Sequence, residues 1–339
     1  MARAASAPIV TELLLKCSDG VTIAAQSWKS PGKPVDKKAN TTTTERILCL
    51  HGWMDNCRSF HYLAPSIVQA LPHVELVALD FPGHGMSGHK SVDGPSLLLS
   101  ELVYYVAEAA EQLNWISSDA KGDREGSSSQ QQQFTIVGHS MGAAVGCVYS
   151  AAFPEHVDRL VLVEGGGPLA RKGHDIAKHV RQHVKKRMVG NAHPKEPRVY
   201  PSLEKAVQTR CFTAKNFPGN QWLSTEASTE LVLRGSVPVE GSDSGALKFR
   251  HDPRLLWPSL QYFTPEQVDA VFDDVQCPTA LILAEDGWPF DEDRAKATVE
   301  RLKPVVYTTL PGSHHFHADP ETADRVAEEV ISFLSLLSE

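Results

Sequence analysis

Five residues inside FTIVGHSMGAAVG have the types and spacing for nucleophilic chemistry: Gly138, His139, Ser140, Met141 and Gly142. They follow a short apolar run, Phe134–Val137, and precede Ala143–Phe153, whose composition suits a helix. A G-x-S-x-G pattern between strand and helix makes a sharp turn that leaves the Ser hydroxyl standing clear. The helix start behind it offers backbone N–H groups to a developing negative charge. This suits attack on a carbonyl by Ser140. A Ser hydroxyl needs a base within hydrogen-bond reach, and the base needs a carboxylate to orient it. Near the C-terminus, Pro311-Gly312-Ser313-His314-His315-Phe316-His317 supplies candidates for that base, His314 and His315 foremost. His-rich tracts also bind metals. Nothing nearby completes a ligand set, and Asp319 before Pro320 reads as a helix N-cap, so no metal is expected.

The elements that must position these residues alternate along the chain. Thr11–Lys16 and Val21–Trp28 flank the turn signal Ser18-Asp19-Gly20 and read as a hairpin. Short apolar strands are expected at Ile47–Leu50, Glu75–Asp80, Phe134–Gly138, Arg159–Val163, Thr279–Ala284 and Pro304–Leu310. Between them lie helical patterns, such as Leu98, Leu102, Val106, Ala109 and Leu113 on one face. Apolar strands alternating with helices predict an α/β fold, with a mostly parallel central sheet covered on both faces. Residues 168–275 break the rhythm and read as an inserted, mostly helical cap. The core is then 1–167 and 276–339. A basic run in the cap, Lys178–Arg187, reads as a solvated helix face. Segments 31–44 and 119–133 are polar, breaker-rich or low in complexity, and read as a surface loop and an insertion.

The chain resembles the α/β-hydrolase superfamily, in particular the cap-bearing serine hydrolases of the serine-hydrolase-like group. The resemblance rests on His51-Gly52-Trp53, Asp80–Ser87 (DFPGHGMS), Gly138–Gly142 and the C-terminal histidines, in the family's order. Phe249–Arg254 (FRHDPR) adds a stretch similar to the narrower group. It implies an oxyanion hole from the backbone N–H groups of Trp53 and Met141. It implies a base at His314 by the narrower group's G-x-H-x-x-H pattern, or at His315 by the wider preference for His before an aromatic. It implies an acid after one of the late strands. There the family's G-x-x-D is broken, because Ala284 and Gly287 stand where Gly and Asp often fall. Asp286 is the nearest Asp. Glu164, which ends the intervening strand, is the alternative, with Glu285 and Asp291 behind it. The DFPGHG loop is expected to be structural.

The implied activity is cofactor-free hydrolysis of a carboxylic ester or related acyl substrate through an acyl-enzyme. A ligand-binding pseudoenzyme on the same fold, or a cofactor-free lyase or peroxidase using the same triad, are the other readings. Cap aromatics Trp222, Trp257, Tyr262 and Phe263 fit an apolar small-molecule substrate as well as simple packing. A net charge of −8 argues against nucleic acid as a partner. No apolar run is long enough to span a membrane. The N-terminus does not read as a signal peptide, so the expected compartment is the cytoplasm. The six scattered cysteines read as reduced thiols, and oligomeric state is not legible.

Overall fold

The computed structural model describes residues 7–31, 44–92, 98–116, 133–193, 196–242, 245–260 and 262–336. The segments at 31–44 and 119–133 lie almost wholly outside them. In chain order the elements are β1 (Ile9–Lys16), β2 (Thr22–Lys29), β3 (Glu45–Leu50), α1 (Leu63–Ala70), β4 (Val74–Leu79), α2 (Leu99–Gln112), β5 (Phe134–His139), α3 (Met141–Ala152) and β6 (Val157–Val163). An insertion follows, with α4 (Ile176–Ala192), β7 (Val199–Tyr200), α5 (Leu203–Ala214), α6 (Thr225–Gly235), β8 (Ser236–Pro238) and β9 (Leu247–Phe249). The chain ends with α7 (Pro265–Asp274), β10 (Thr279–Asp286), α8 (Glu292–Leu302), β11 (Val306–Ser313) and α9 (Ala323–Leu336).

The main sheet has eight strands in the order β1-β2-β4-β3-β5-β6-β10-β11. β1 and β2 form the expected antiparallel hairpin, β2 meets β4 antiparallel, and every pair from β4 to β11 is parallel. This is the α/β architecture that the apolar strand runs predict. The strand period of two sends Leu48 and Leu50 to one core, with α2 and α3 residues, and Ile47 and Cys49 to the other, with α1 and α9 residues. All six residues of β5 are buried, as covering both faces requires.

The insertion forms a roof over the carboxyl edge of the sheet, and it differs from the sequence reading in two ways. It contains a small antiparallel sheet, β7-β9-β8, whose strands of two or three residues are too short to show periodicity. α7, read as part of the cap, instead buries Val268 and Phe272 in the core beside residues of α3. The roof is fastened to the core by polar contacts. The Asp252 N–H donates to Gly83 O at 2.9 Å. Buried Arg234 donates through Nε to both Asp80 oxygens, at 3.0 and 2.8 Å, and through Nη1 to Glu12. Asp80 also accepts the N–H groups of Cys57 and Met86, which gives the DFPGHG loop its structural role.

Candidate active site

Ser140 stands one residue past β5, Glu164 one past β6 and His314 one past β11. Because these strands are parallel, their carboxyl ends share one edge of the sheet. Ser140 has φ 51° and ψ −112°, a conformation that L-residues avoid and that persists only when its surroundings enforce it. Its neighbours do so by close approach. A Cβ on Gly138 would meet Gly142 O at 2.4 Å, and one on Gly142 would meet Leu50 O at 2.0 Å. The motif glycines thus let α3 start directly against the ends of β5 and β3. The Ser140 N–H donates to Val163 O at 3.1 Å, which ties the turn to β6.

Glu164 also has a positive φ, 48°, and is 1% exposed. Its Oε1 accepts the Ala284 N–H at 3.0 Å, and its Oε2 accepts the Trp288 N–H at 2.9 Å. The same Oε2 accepts from His314 Nδ1 at 2.8 Å. A proton on Nδ1 leaves Nε2 with its lone pair free to act as a base. The alternative acid of the sequence reading, not the first choice, therefore meets the imidazole. Asp286 is exposed, and it meets the site through its backbone, whose carbonyl accepts Gln221 Nε2 at 3.1 Å. Steric exclusion explains the broken G-x-x-D. A Cβ on Gly287 would lie 2.2 Å from Glu164 Oε1, so the carboxylate from β6 fills the space an Asp side chain would need. Glu285 is exposed, and Asp291 caps α8 by accepting the Arg294 N–H.

Of the two candidate bases, His314 faces Glu164 and is partly exposed. His315 turns its ring 90° away and is buried, with Nε2 3.2 Å from Asp55 Oδ2. Asp55 accepts from Arg210 Nη2 of α5 at 2.5 Å, joining the roof to the loop after β3. Burial alone would raise the Asp55 carboxyl, but His315 and Arg210 outweigh it and hold it well below the usual range. Burial lowers His315, so at neutral pH the cation facing Asp55 is Arg210. Burial likewise holds His139 neutral, and its Nε2 donates to His314 O at 2.9 Å. Gln221 is buried in the roof and grips both late loops. It accepts the His314 N–H at 2.9 Å and donates to the Asp286 and Gly287 carbonyls.

The expected oxyanion donors sit on either side of the junction between β3 and α3. Neither the Trp53 N–H nor the Met141 N–H donates a hydrogen bond to another of the described residues. The Trp53 indole is instead tied to the roof, donating to Leu255 O at 3.1 Å. His51 accepts the Phe81 N–H at Nε2, and burial pushes its pKa down to about 4, so it stays neutral and structural. Sequence reasoning missed Asp55, Arg210 and Gln221. Their partners lie 155 and 93 residues away, with no local signal. Among the described residues, no group of three or more His, Cys, Asp or Glu is arranged to hold a metal. All six cysteines are unpaired. No helix among the described residues is long and apolar enough to cross a membrane.

Known proteins resemble this chain in sequence and in fold. The profile of the alpha/beta hydrolase fold family matches residues 45–320. The chain is 27% identical over 334 residues to a serine hydrolase-like protein of Dictyostelium discoideum, covering 95% of this chain and 81% of that protein. It is 28% identical over 350 residues to human serine hydrolase-like protein 2, covering 98% and 97% of the two. A solved structure of a hypothetical protein from Pseudomonas aeruginosa has a TM-score of 0.76 at 32% identity, covering 96% of this chain and 98% of that one. A thioesterase domain from the curacin biosynthetic pathway has a TM-score of 0.70 at 19% identity, covering 95% and 99%, a likeness of fold.

Proposed function

The chain belongs to the alpha/beta hydrolase fold family, and from that premise we propose that it is a serine hydrolase acting on carboxylic esters or related acyl substrates through Ser140, His314 and Glu164. The observation that carries this reading is the 2.8 Å contact between His314 Nδ1 and a buried carboxylate held by two backbone N–H groups. Such a carboxylate fixes the imidazole tautomer and stabilises the imidazolium. His314 Nε2 takes the proton of Ser140 as its oxygen attacks the acyl carbon. The N–H groups of Trp53 and Met141 receive the oxyanion, and losing one such donor costs about 3–4 kcal/mol. His314 then returns its proton to the leaving group, and the acyl group stays on Ser140. A water, deprotonated by the same imidazole, cleaves the acyl-enzyme and restores the hydroxyl.

Apolar surface near the base supports an apolar acyl group. The Trp288 ring lies 5.7 Å from that of His314, and Phe217 lies 5.9 Å from Trp288. The pseudoenzyme reading drew on the missing Asp at 287, and Glu164 occupies that space, so no separate observation favours it. A fluorophosphonate probe is expected to label the native chain and to leave Ser140→Ala unlabelled. Chromogenic esters of increasing acyl length are expected to be hydrolysed by the native chain alone. A native chain that neither reacts with the probe nor turns over any ester sinks the proposal.

A further inference from the structure

The roof helix α4 is packed the wrong way round for a helix whose only neighbours are the protein and water. Ile176, Val180, Val184 and Met188 recur every four residues and so form one row. All four are exposed, Ile176 and Met188 at 60% and 66%. The residues turned inward are polar or small. Buried His183 bonds the Pro258 carbonyl at 2.8 Å through Nδ1, His179 lies against Tyr262, and Gly190 sits on Trp257. Exposed Leu169, Val189 and Leu256 add apolar surface nearby. A monomer rarely leaves such a row in water without a use for it.

The charge around the row is as unusual as the row itself. Residues 171–193 hold seven Lys or Arg and one Asp, in a chain whose formal net charge is −8. Lys178, Arg181 and Lys185 fall on the side of the helix beyond the apolar row, away from His183, and all three are exposed. The helix thus has three faces, one against the protein, one apolar and one cationic. We propose that α4 is a membrane-surface helix that docks the protein on an anionic lipid bilayer. Its apolar row enters the acyl boundary while its cations meet lipid phosphates. Charge decides among occupants. A second copy related by a two-fold axis would set the same cations against each other. A nucleic acid would satisfy the cations and leave the apolar row wet. A bilayer supplies hydrocarbon and negative charge side by side. At 17 residues with five Lys or Arg, α4 suits lying in the interface.

The docking face connects to the candidate active site. Trp257, beneath α4, lies two residues from Leu255, whose carbonyl holds the Trp53 indole. Lipid contact on α4 would therefore bring the roof segment beside the oxyanion loop close to the source of apolar acyl groups. The docking itself does not depend on catalysis. The full chain should co-sediment with phosphatidylcholine vesicles containing phosphatidylserine and stay in solution with phosphatidylcholine alone. Added salt should release it. Val180→Ser with Val184→Ser and Met188→Ser, and separately Lys178→Glu with Arg181→Glu and Lys185→Glu, should each lower the bound fraction about tenfold or more. Both triple variants should melt like the native chain, since exposed substitutions perturb stability little. Ser140→Ala should bind vesicles like the native chain, so loss of the hydrolase reading and loss of this one give different results. Binding absent from both vesicle types, equal on both, or unchanged by the serine substitutions overturns the proposal. Self-association, or capture of a synthetic acidic amphipathic peptide, through α4 in a chain that ignores vesicles also overturns it, in favour of that partner.

Discussion

The carboxyl ends of β6 and β10 lie on neighbouring strands, and each carries an acid, in opposite settings. Glu164 follows β6 with a strained backbone, is buried, and spends its oxygens on two N–H groups and an imidazole. Asp286 ends β10 with its side chain toward solvent and its carbonyl on Gln221. Between them sits Gly287, with no room for a side chain while Glu164 is present. The two strand ends compete for one volume beside the imidazole, and occupation by one excludes the other. Distance along the chain to the nucleophile does not decide which carboxylate meets the imidazole; the space left by one missing side chain does.

The sharpest way to break this comparison is to remove the carboxylate from β6. Glu164→Ala is expected to lower kcat about 10³–10⁴-fold, because the imidazole loses both its tautomer and its counter-charge. Glu164→Gln keeps the shape and should lose nearly as much, which separates charge from packing. Ester turnover with matched probe-labelling rates measures both. If Asp286→Asn caused the larger loss, the assignment would reverse.

A second experiment moves the acid across. Gly287 is not among the glycines with positive φ, so with Glu164 trimmed a side chain there has only to displace the Ala284 carbonyl, whose oxygen lies 2.8 Å from the added Cβ. Gly287→Asp alone should be damaging, since its Cβ would press into the Glu164 carboxylate. Combined with Glu164→Ala, it should recover turnover about tenfold or more over Glu164→Ala alone, a non-additivity expected of side chains that share one space. Simple addition of the two losses would show that the strand ends are not alternatives.

How much of this was readable in the sequence follows from where each partner lies. The nucleophile's turn was legible because strand, glycines and helix are contiguous, and steric necessity there is local. β5, β6 and β10 were legible because buried parallel strands read as apolar runs. Glu164 could be named only as an alternative, because its partner His314 is 150 residues on and the deciding contact, with Gly287, is tertiary. Asp55 was invisible for the same reason. The strands of the roof are too short to have a period, and α7 carries the same amphipathic pattern whether it packs in a roof or on a core.

Asp55 offers a milder perturbation of the neighbouring histidine. His314 and His315 each face a buried carboxylate, but only that of Asp55 is balanced by a guanidinium. Asp55→Asn should cost about 3 kcal/mol of stability, because Arg210 is left a largely buried cation without its partner. The denaturant midpoint would report it. The ionised Asp55 stabilises the fold above the unfolded carboxylate's pKa, and that contribution is lost as pH falls through its lowered folded value. The buried histidines act at higher pH. Burial lowers His51 to about 4 and His84 and His317 to about 3. Their contribution is full above an unfolded pKa of about 6.5 and drains as pH falls toward those values. Asp55→Asn should therefore shift the whole melting curve down while leaving the decline below about pH 6.5 in place. A variant that lost that decline would make Asp55, and not histidine burial, its source.

The smallest expected effect discriminates between the two strand ends as well as the largest does. Asp286→Asn removes a charge whose side chain points to water, while the backbone carbonyl that Gln221 holds is untouched. Surface substitutions of this kind shift stability by about 0.5 kcal/mol or less. Turnover should stay within about twofold, since a solvated charge beyond hydrogen-bond reach is strongly screened. Gln221→Ala gives the contrast. It leaves Asp286 in place, frees the carbonyls of Asp286 and Gly287 and the N–H of His314, and should lower kcat more than the loss of the carboxylate does. If Asp286→Asn proved the more harmful of the pair, the end of β10 would matter through its side chain, and the volume argument for Glu164 would fail.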